Sequence, residues 1–351
     1  MKVLHLLQSN RFSGAENVAC QIIDMFSGDA DMKLAYCSPD GPVREQIENR
    51  KITFYPLSKL EPKQVKRVIS RFKPDLIHAH DARASVVAAL CCGRIPLVVH
   101  MHGNSYGSQK LSFKSILLRI AFQKARHVFW VSSSALNGYY FSNTVEAKSS
   151  VLCNVINADG VCRRSNDAEC QEQYDAVYIG RLEYPKNPER VANILCNLVN
   201  ADRSVKAAIV GSGSGYEDVK AYVEARDASE RVRLLGYMDN PLGIMRNAKV
   251  MIMASRWEGM PISALEAGCL GVPVVCTPTD GLRELIVDGV TGYLSDDDQM
   301  LVSKCLEVIR DENLRARLSE AARARAEEMM DIQAYRNKVF SVYFGCVESK
   351  K

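Results

Sequence analysis

At roughly 150 residues per domain, a chain of 351 residues amounts to two domains, and 47% hydrophobic against 25% charged residues with only 12 prolines excludes disordered, collagen-like and fibrous classes. No apolar run reaches the ~18 residues of a spanning helix, and the opening MKVLHLLQSN lacks the long apolar core of a secretory signal, so the expected compartment is the cytoplasm. The first 160 residues carry 20 Lys+Arg against 12 Asp+Glu and the remaining 191 carry 25 against 29, so a basic half precedes an acidic one. A basic half suits nucleic acid, anionic membrane or a phosphorylated ligand. Nucleic acid is the reading we discard, because the cations are not interleaved with stacking aromatics.

Along the chain, β-rich runs at 3–7, 33–37, 52–55, 76–78, 97–100 and 128–131 alternate with helical patterns. That β-α-β repetition predicts a parallel sheet covered on both faces by right-handed crossovers. Within it, 109–126 reads as a helix with Leu111, Phe113, Ile116, Leu117, Ile120 and Phe122 apolar and Lys110, Lys114, Arg119, Lys124 and Arg126 basic, without an acid. After a polar break at 161–174, a second series of strands follows at 176–179, 206–210, 232–235, 250–253 and 272–276, and from Asp296 onward the tail reads as helical. The twelve cysteines form no C-x-x-C pair and are read as reduced, mostly buried thiols. The fold class is therefore α/β, with two doubly wound Rossmann-like parallel-sheet domains facing across a cleft that holds the site, and with boundaries at 1–164, 165–332 and a closing helical segment at 333–351.

The most informative motif is RWEGMPISALEAGCLGVP, Arg256 to Pro273. Pro261 suits the start of a helix running to Leu270, so Glu258 lies in the loop before it and Glu266 about one and a half turns in. Gly259 lets backbone N–H groups approach a phosphate, while each carboxylate can accept hydrogen bonds from hydroxyls; the bland alternative is a solvated Glu266 and a Glu258 that merely complements the helix dipole. After the strand at 176–179 comes Gly180-Arg181-Leu182-Glu183-Tyr184-Pro185-Lys186-Asn187, where Arg181 as a planar fork and Lys186 as a point charge can clamp a diphosphate. The loop Gly211-Ser212-Gly213 lines the same region or simply turns the chain. In the first half, Ser13-Gly14-Ala15-Glu16, His78-Ala79-His80 and His100-Met101-His102-Gly103 follow strands. Gly14 there suits a phosphate at a helix start, and His102 a hydrogen bond or proton shuttle. His5 and His78 are read as core or supporting residues. The histidine pairs lack a carboxylate or thiolate quartet and the Asp296-Asp297-Asp298 run reads as a helix cap, so no metal is expected.

Taken in order, Ser13-Gly14-Ala15-Glu16, Gly180-Arg181 with Lys186-Asn187, Gly211-Ser212-Gly213 and the Glu258-to-Glu266 block resemble the retaining glycosyltransferases of family four, of GT-B fold (glycosyl transferases group 1), of the capsular and exopolysaccharide type. The resemblance spans essentially the whole chain, with one departure: many relatives have Gly-Gly where this sequence has Ser13-Gly14. It implies an acceptor-binding first domain and a nucleotide-sugar-binding second domain. By it, Glu266 contacts the ribose, Glu258 lies by the donor sugar, Arg181 and Lys186 hold the diphosphate, backbone around Gly259, Met260, Pro261 and Ile262 touches sugar and phosphate, and Tyr237 meets the base. The candidate catalytic residues are thus Glu258, Arg181, Lys186 and His102, and the candidate donor-binding set is Gly14, Gly180, Arg181, Lys186, Gly211, Tyr237, Gly259, Met260, Pro261, Ile262 and Glu266.

The same resemblance implies a retaining hexosyl or N-acetylhexosaminyl transfer without a metal or other cofactor, from a nucleotide sugar, UDP-linked, to a saccharide acceptor carried on a polyprenyl diphosphate. It also implies that the closing helix packs back on the first domain. The basic helix at 109–126 is either a sheet-covering helix or a contact with an anionic membrane surface, which would place the enzyme peripherally on the inner face of the cell membrane. The alternatives are a nucleotide-sugar 2-epimerase, for which no set of acid–base carboxylates is apparent in the first half, and a non-catalytic nucleotide-sugar-binding scaffold subunit.

Overall fold

The computed structural model describes residues 1–103, 107–168 and 172–348, and its chain forms two compact units, one of residues 1–154 with 332–351 and the other of residues 155–331. The first unit holds seven strands: β1 (Lys2–Leu6), β2 (Lys33–Pro39), β3 (Thr53–Leu57), β4 (Leu76–His80), β5 (Leu97–Met101), β6 (His127–Trp130) and β7 (Ser149–Val151). Every pairing is parallel, and the order is β3-β2-β1-β4-β5-β6-β7. Sequential strands run outward from β1 to one edge and then from β4 to the other, so the order reverses between β1 and β4. Residues of β4 and β5 are buried throughout, as expected of central parallel strands covered on both faces, yet these strands contain His78, His80 and His100. The helix Ile332–Glu348 packs on this unit: the Arg336 guanidinium bonds the Met25 carbonyl at 3.1 Å and pairs with Asp29, and buried Tyr343 reaches His78.

The second unit holds β8 (Ala176–Ile179), β9 (Ala207–Val210), β10 (Val232–Gly236), β11 (Val250–Met253), β12 (Val274–Cys276) and β13 (Gly292–Leu294), again all parallel, in the order β10-β9-β8-β11-β12-β13. Its core joins Tyr178, Ile209, Val250 and Ile252 of the strands to Val191, Leu195 and Leu198 of the helix Pro188–Ala201. Pro188 opens that helix where its missing N–H costs nothing. The helix Ile262–Leu270 ends on Gly271, whose φ of +69° is the left-handed closure that glycine adopts without strain. Two three-residue strands, β7 (SSV) and β13 (GYL), escape the sequence reading because they hold too few apolar residues to show as a run, unlike the equally short β12 (VVC).

The boundaries expected at 164/165 and 332/333 fall at 154/155 and 331/332. The physical reason lies in the polar break, much of which is a helix, Ala158–Asp167, capped by the Asn157 side chain on the Gly160 N–H. That helix packs on the second unit, where Asn240 donates to the Arg164 carbonyl and Arg164 pairs with Glu266. Residues 169–171 of the expected break lie outside the described residues. The acidic run acts as read: Asp297 accepts the Met300 N–H at 2.8 Å and caps the helix Asp298–Arg310, while Asp298 receives Arg190 at 2.7 Å. The cysteines among the described residues are all free, and burial pushes the thiols of Cys20 up to about 12 and of Cys269 likewise.

Candidate active site

In the second unit, β8 lies between β9 and β11, so the loops leaving the carboxyl ends of β8 and β11 emerge side by side where the strand order reverses. That is the crevice at which doubly wound sheets bind ligands. The first loop carries Gly180, Arg181 and Lys186; the second carries Ser255, Glu258, Gly259 and Met260. They are tied together: the Lys186 ammonium donates to both Glu258 oxygens at 2.5 and 2.7 Å, the Arg256 N–H bonds the Pro185 carbonyl at 2.9 Å, and the Arg256 guanidinium lies 4.4 Å from the Tyr184 ring centroid. Ser255 Oγ donates to Glu258 at 2.6 Å, and Thr277 Oγ1 holds the Ser255 carbonyl at 2.9 Å.

The Lys186 and Glu258 side chains are only 17% and 7% exposed. A charge so far removed from water requires its partner, which makes this pair a fixed feature of the crevice rather than a surface ion pair. Lys186 retains a third N–H beyond the two given to Glu258. The Arg181 guanidinium is exposed and makes no hydrogen bond or ion pair among the described residues, while its carbonyl is held by the Tyr178 hydroxyl at 2.9 Å.

Close backbone approach explains the glycines. Gly211 has φ +144°, donates its N–H to the Gly236 carbonyl, and a Cβ there would stand 1.9 Å from the Gly180 carbonyl oxygen. Gly213 at φ +157° is held as tightly against Leu182. The β9 loop therefore fits against the β8 loop only with glycine at 211 and 213. A Cβ on Gly281, in the helix Asp280–Leu285, would lie 1.7 Å from the Gly259 carbonyl oxygen, so that helix fixes the Gly259 loop from behind.

Glu266 sits on the second turn of the helix Ile262–Leu270, with its carboxylate 15% exposed and 3.3 Å from the Arg164 guanidinium. Burial raises its carboxyl to about 7, against the lowering influence of Arg164. Pro261 precedes that helix as its cap, with φ −73° and ψ 120°, rather than occupying its first turn, so the helix begins at Ile262. Met260 is buried, and Tyr237, just past Gly236 at φ +70°, exposes its ring.

In the first unit, Gly14 opens the helix Gly14–Met25, and a Cβ there would meet nothing within 4 Å, so the fold itself does not demand glycine. Ser13 turns its hydroxyl to Glu16. His102 follows β5; its backbone N–H bonds Asp81 Oδ1 at 3.1 Å and its ring meets His80.

The structure thus brings Lys186 and Glu258 into direct contact, with Gly180, Arg181, Gly211, Gly259 and Met260 on adjoining loops of one crevice, and gives Glu266 the partner Arg164. The sequence reading missed Arg164, Ser255, Gly281 and the Tyr184–Arg256 stack. Ser255 was within reach as a hydroxyl three residues before Glu258; the others carry no local signal.

The description "Glycosyl transferases group 1" matches residues 164–325, and "Glycosyltransferase Family 4" matches residues 12–159. A Bacillus subtilis (strain 168) poly(glycerol-phosphate) alpha-glucosyltransferase is 32% identical over 160 residues, 45% of this chain but only 24% of that protein's length. An Escherichia coli UDP-Gal:alpha-D-GlcNAc-diphosphoundecaprenol alpha-1,3-galactosyltransferase is 24% identical over 100% of this chain and 98% of its own. Anabaena HepE, crystallised in complex with UDP-glucose, superposes with a TM-score of 0.86 at 20% identity, over 98% of this chain and 100% of that one, a likeness of fold. With both halves matched in order across two doubly wound sheets, the chain belongs to the family-four glycosyltransferases and is a glycosyltransferase of the GT-B fold.

Proposed function

We propose that this enzyme moves a hexose or N-acetylhexosamine from a UDP-sugar to a saccharide acceptor, with retention and without a metal. The carrying observation is the second unit's crevice, where two cations, Arg181 and Lys186, share adjoining loops with Glu258 and with backbone around Gly259. Cations fixed there stabilise the charge that develops on a departing diphosphate, the work a divalent ion does elsewhere. Glu258 steers Lys186 and accepts hydrogen bonds from sugar hydroxyls. Glu266 accepts from the ribose, Tyr237 meets the base, and Gly14 and His102 serve the first unit's share of the reaction, His102 by a hydrogen bond to a hydroxyl. The bond to the diphosphate breaks through an oxocarbenium-like sugar, and the acceptor hydroxyl adds on the face the leaving group vacates. The UDP-glucose complex of the Anabaena protein and the UDP-Gal substrate in the Escherichia coli enzyme's name support the choice of base.

The acceptor we infer is lipid-linked, in bacterial surface polysaccharide synthesis, as the Escherichia coli relative's name describes for itself. No helix among the described residues is long and apolar enough to cross a membrane. The helix expected at 109–126 spans Phe113–Lys124; it buries Leu118, Ala121 and Phe122 against its own unit and leaves Phe113, Ile116 and Ile120 exposed, Phe113 by 77%, beside exposed Lys114, Arg119 and Lys124, while Lys110 and Leu111 before it and Arg126 after it are also exposed. An apolar ridge ringed by cations suits an anionic lipid surface, where each cation contributes about 1 kcal/mol.

Thermal-shift and calorimetric titration with UDP, GDP, ADP, dTDP and their hexoses, with and without EDTA, tests the donor assignment. We expect a UDP-selective, EDTA-insensitive shift that Lys186→Ala removes; no shift with any nucleotide overturns it. Sedimentation with anionic liposomes, abolished by Lys110→Glu with Lys114→Glu, tests the membrane assignment, and an unchanged soluble fraction sinks it.

A further inference from the structure

All six histidines fall on one face of the first sheet, and five of them, His5, His78, His80, His100 and His102, cluster there. The register places His5 opposite His78 and His80 opposite His100; with side chains of one strand alternating faces, His78, His80, His100 and His102 fall together. His5, His78, His80 and His100 are at most 1% exposed, and all five are held neutral by burial, His5 and His102 down to about 3. Tyr343 of the closing helix is buried against the same face.

The rings are connected in a line. Tyr343 Oη lies 3.4 Å from His5 Nε2, His5 Nδ1 lies 3.0 Å from His80 Nε2, and His80 Nδ1 lies 2.9 Å from His102 Nε2. At both histidine junctions the ring centroids are 5.2 Å apart with interplanar angles of 24° and 10°. That separation exceeds the N···N distance by almost two full ring radii, which occurs only when the rings meet edge to edge with both nitrogens on the line between centroids. The histidine groups His5-His78-His80 and His80-His100-His102 each also bring three ring nitrogens within 4.8 Å of one another, as a metal site requires. Metal ligation needs lone pairs converging on a point off that line, whereas at the His5–His80 and His80–His102 junctions each nitrogen points at its neighbour's, the geometry of an N–H···N bond; the His100 nitrogens and His78 Nε2 have no partner among the described residues.

A neutral imidazole carries one N–H, so each link dictates the next. The Tyr343 hydroxyl is 2.6 Å from His78 Nδ1 and has one proton. Read as O–H donating to nitrogen, this contact leaves the ring proton of His78 on Nε2, which is buried without a partner among the described residues. The hydroxyl oxygen then accepts from His5 Nε2–H, leaving His5 Nδ1 to accept from His80 Nε2–H and His80 Nδ1 to accept from His102 Nε2–H. The end of the line is His102 Nδ1, a buried nitrogen without a partner among the described residues.

We propose that Tyr343, acting through His5 and His80, sets the tautomer of His102 so that its Nδ1 is an unprotonated acceptor for a substrate hydroxyl; Tyr343, His5 and His80 are positioning residues. The functional half of this rests on the role given above to His102. The tautomeric half does not, and the test separates them.

With the full-length protein labelled at histidine with nitrogen-15, two-bond proton–nitrogen spectra without ligand should show His5, His80 and His102 protonated at Nε2 and bare at Nδ1. A protonated Nδ1 on His102 in the wild type overturns the proposal without any variant. Tyr343→Phe keeps the ring packing but removes the terminal acceptor. It should bring a protonated Nδ1 into the His102 population and lower kcat roughly tenfold, with KM for the donor changed less than twofold and the thermal midpoint kept. An unchanged His102 tautomer in Tyr343→Phe refutes the relay. One equivalent of zinc should leave the wild-type spectrum unchanged; tight zinc binding with displacement of the N–H protons overturns the chain in favour of a metal site. If the tautomers are as described but UDP does not bind the wild type, the donor assignment fails and the relay stands.

Discussion

Glu266 offers a prediction that can be worked to a number. Its carboxyl lies on a helix interior, 15% exposed, with burial raising it to about 7 from the ordinary 4.5 and Arg164 at 3.3 Å offsetting only part of that rise. The folded chain therefore holds this proton more tightly than the unfolded chain does. The associated stability is fully present below pH 4.5 and is lost as pH rises to about 7 and beyond. The gap between those two values corresponds to about 3 kcal/mol. Residual exposure makes that an upper figure. Glu266→Gln keeps the shape and has no proton to lose, so it should lie within about 1 kcal/mol of wild type at pH 5 and exceed it by roughly 2–3 kcal/mol at pH 8. The assay is urea unfolding of both proteins from pH 5 to 8.5 without nucleotide, comparing the difference at each pH. A difference that does not change with pH, or one that grows toward acid, refutes the assignment of a buried, proton-holding carboxyl. Should Glu266 also accept from the ribose, the same variant weakens UDP about tenfold while being the more stable protein, a combination that misfolding cannot produce.

The Lys186–Glu258 pair predicts strong coupling: Lys186→Ala and Glu258→Gln each cost about 3 kcal/mol because each strands a buried charge, and the double variant costs clearly less than their sum, as a double-mutant cycle by denaturant unfolding will show. Gly211→Ala and Gly14→Ala separate fold from function. The first places a Cβ against the Gly180 carbonyl and should cost more than about 3 kcal/mol or abolish soluble expression, whereas the second leaves stability unchanged or higher by up to about 1 kcal/mol, so any fall in its turnover reports a ligand at that helix start. Asp297→Ala should lose about 1 kcal/mol of thermal stability with donor affinity intact, since among the described residues its carboxylate serves only the cap on Met300.

Local rules made much of this protein legible before any coordinates. The β-α-β alternation required parallel sheets, because parallel neighbours can be joined only by long crossovers. Pro261 marks the approach to a helix by the properties of its own backbone, and Glu258 and Glu266 could be placed before and within that helix from spacing alone. The three-residue β7 and β13 stayed hidden since SSV and GYL make no apolar run, as VVC of the equally short β12 does, and the unit boundary moved because the helix Ala158–Asp167 is assigned by what it packs against, not by its polar composition. Arg164 and Glu266 are 102 positions apart, and Lys186 and Glu258 are 72. No local pattern encodes such pairings; the second exists because β8 and β11 are neighbours in the sheet, the first because the helix Ala158–Asp167 lies against the helix Ile262–Leu270. The histidines make the same point most sharply: five rings scattered from His5 to His102, and a tyrosine at 343, have no common feature in sequence. Strand register aligns their side chains on one face and burial keeps them neutral, and only then can one hydroxyl decide where a proton sits three rings away.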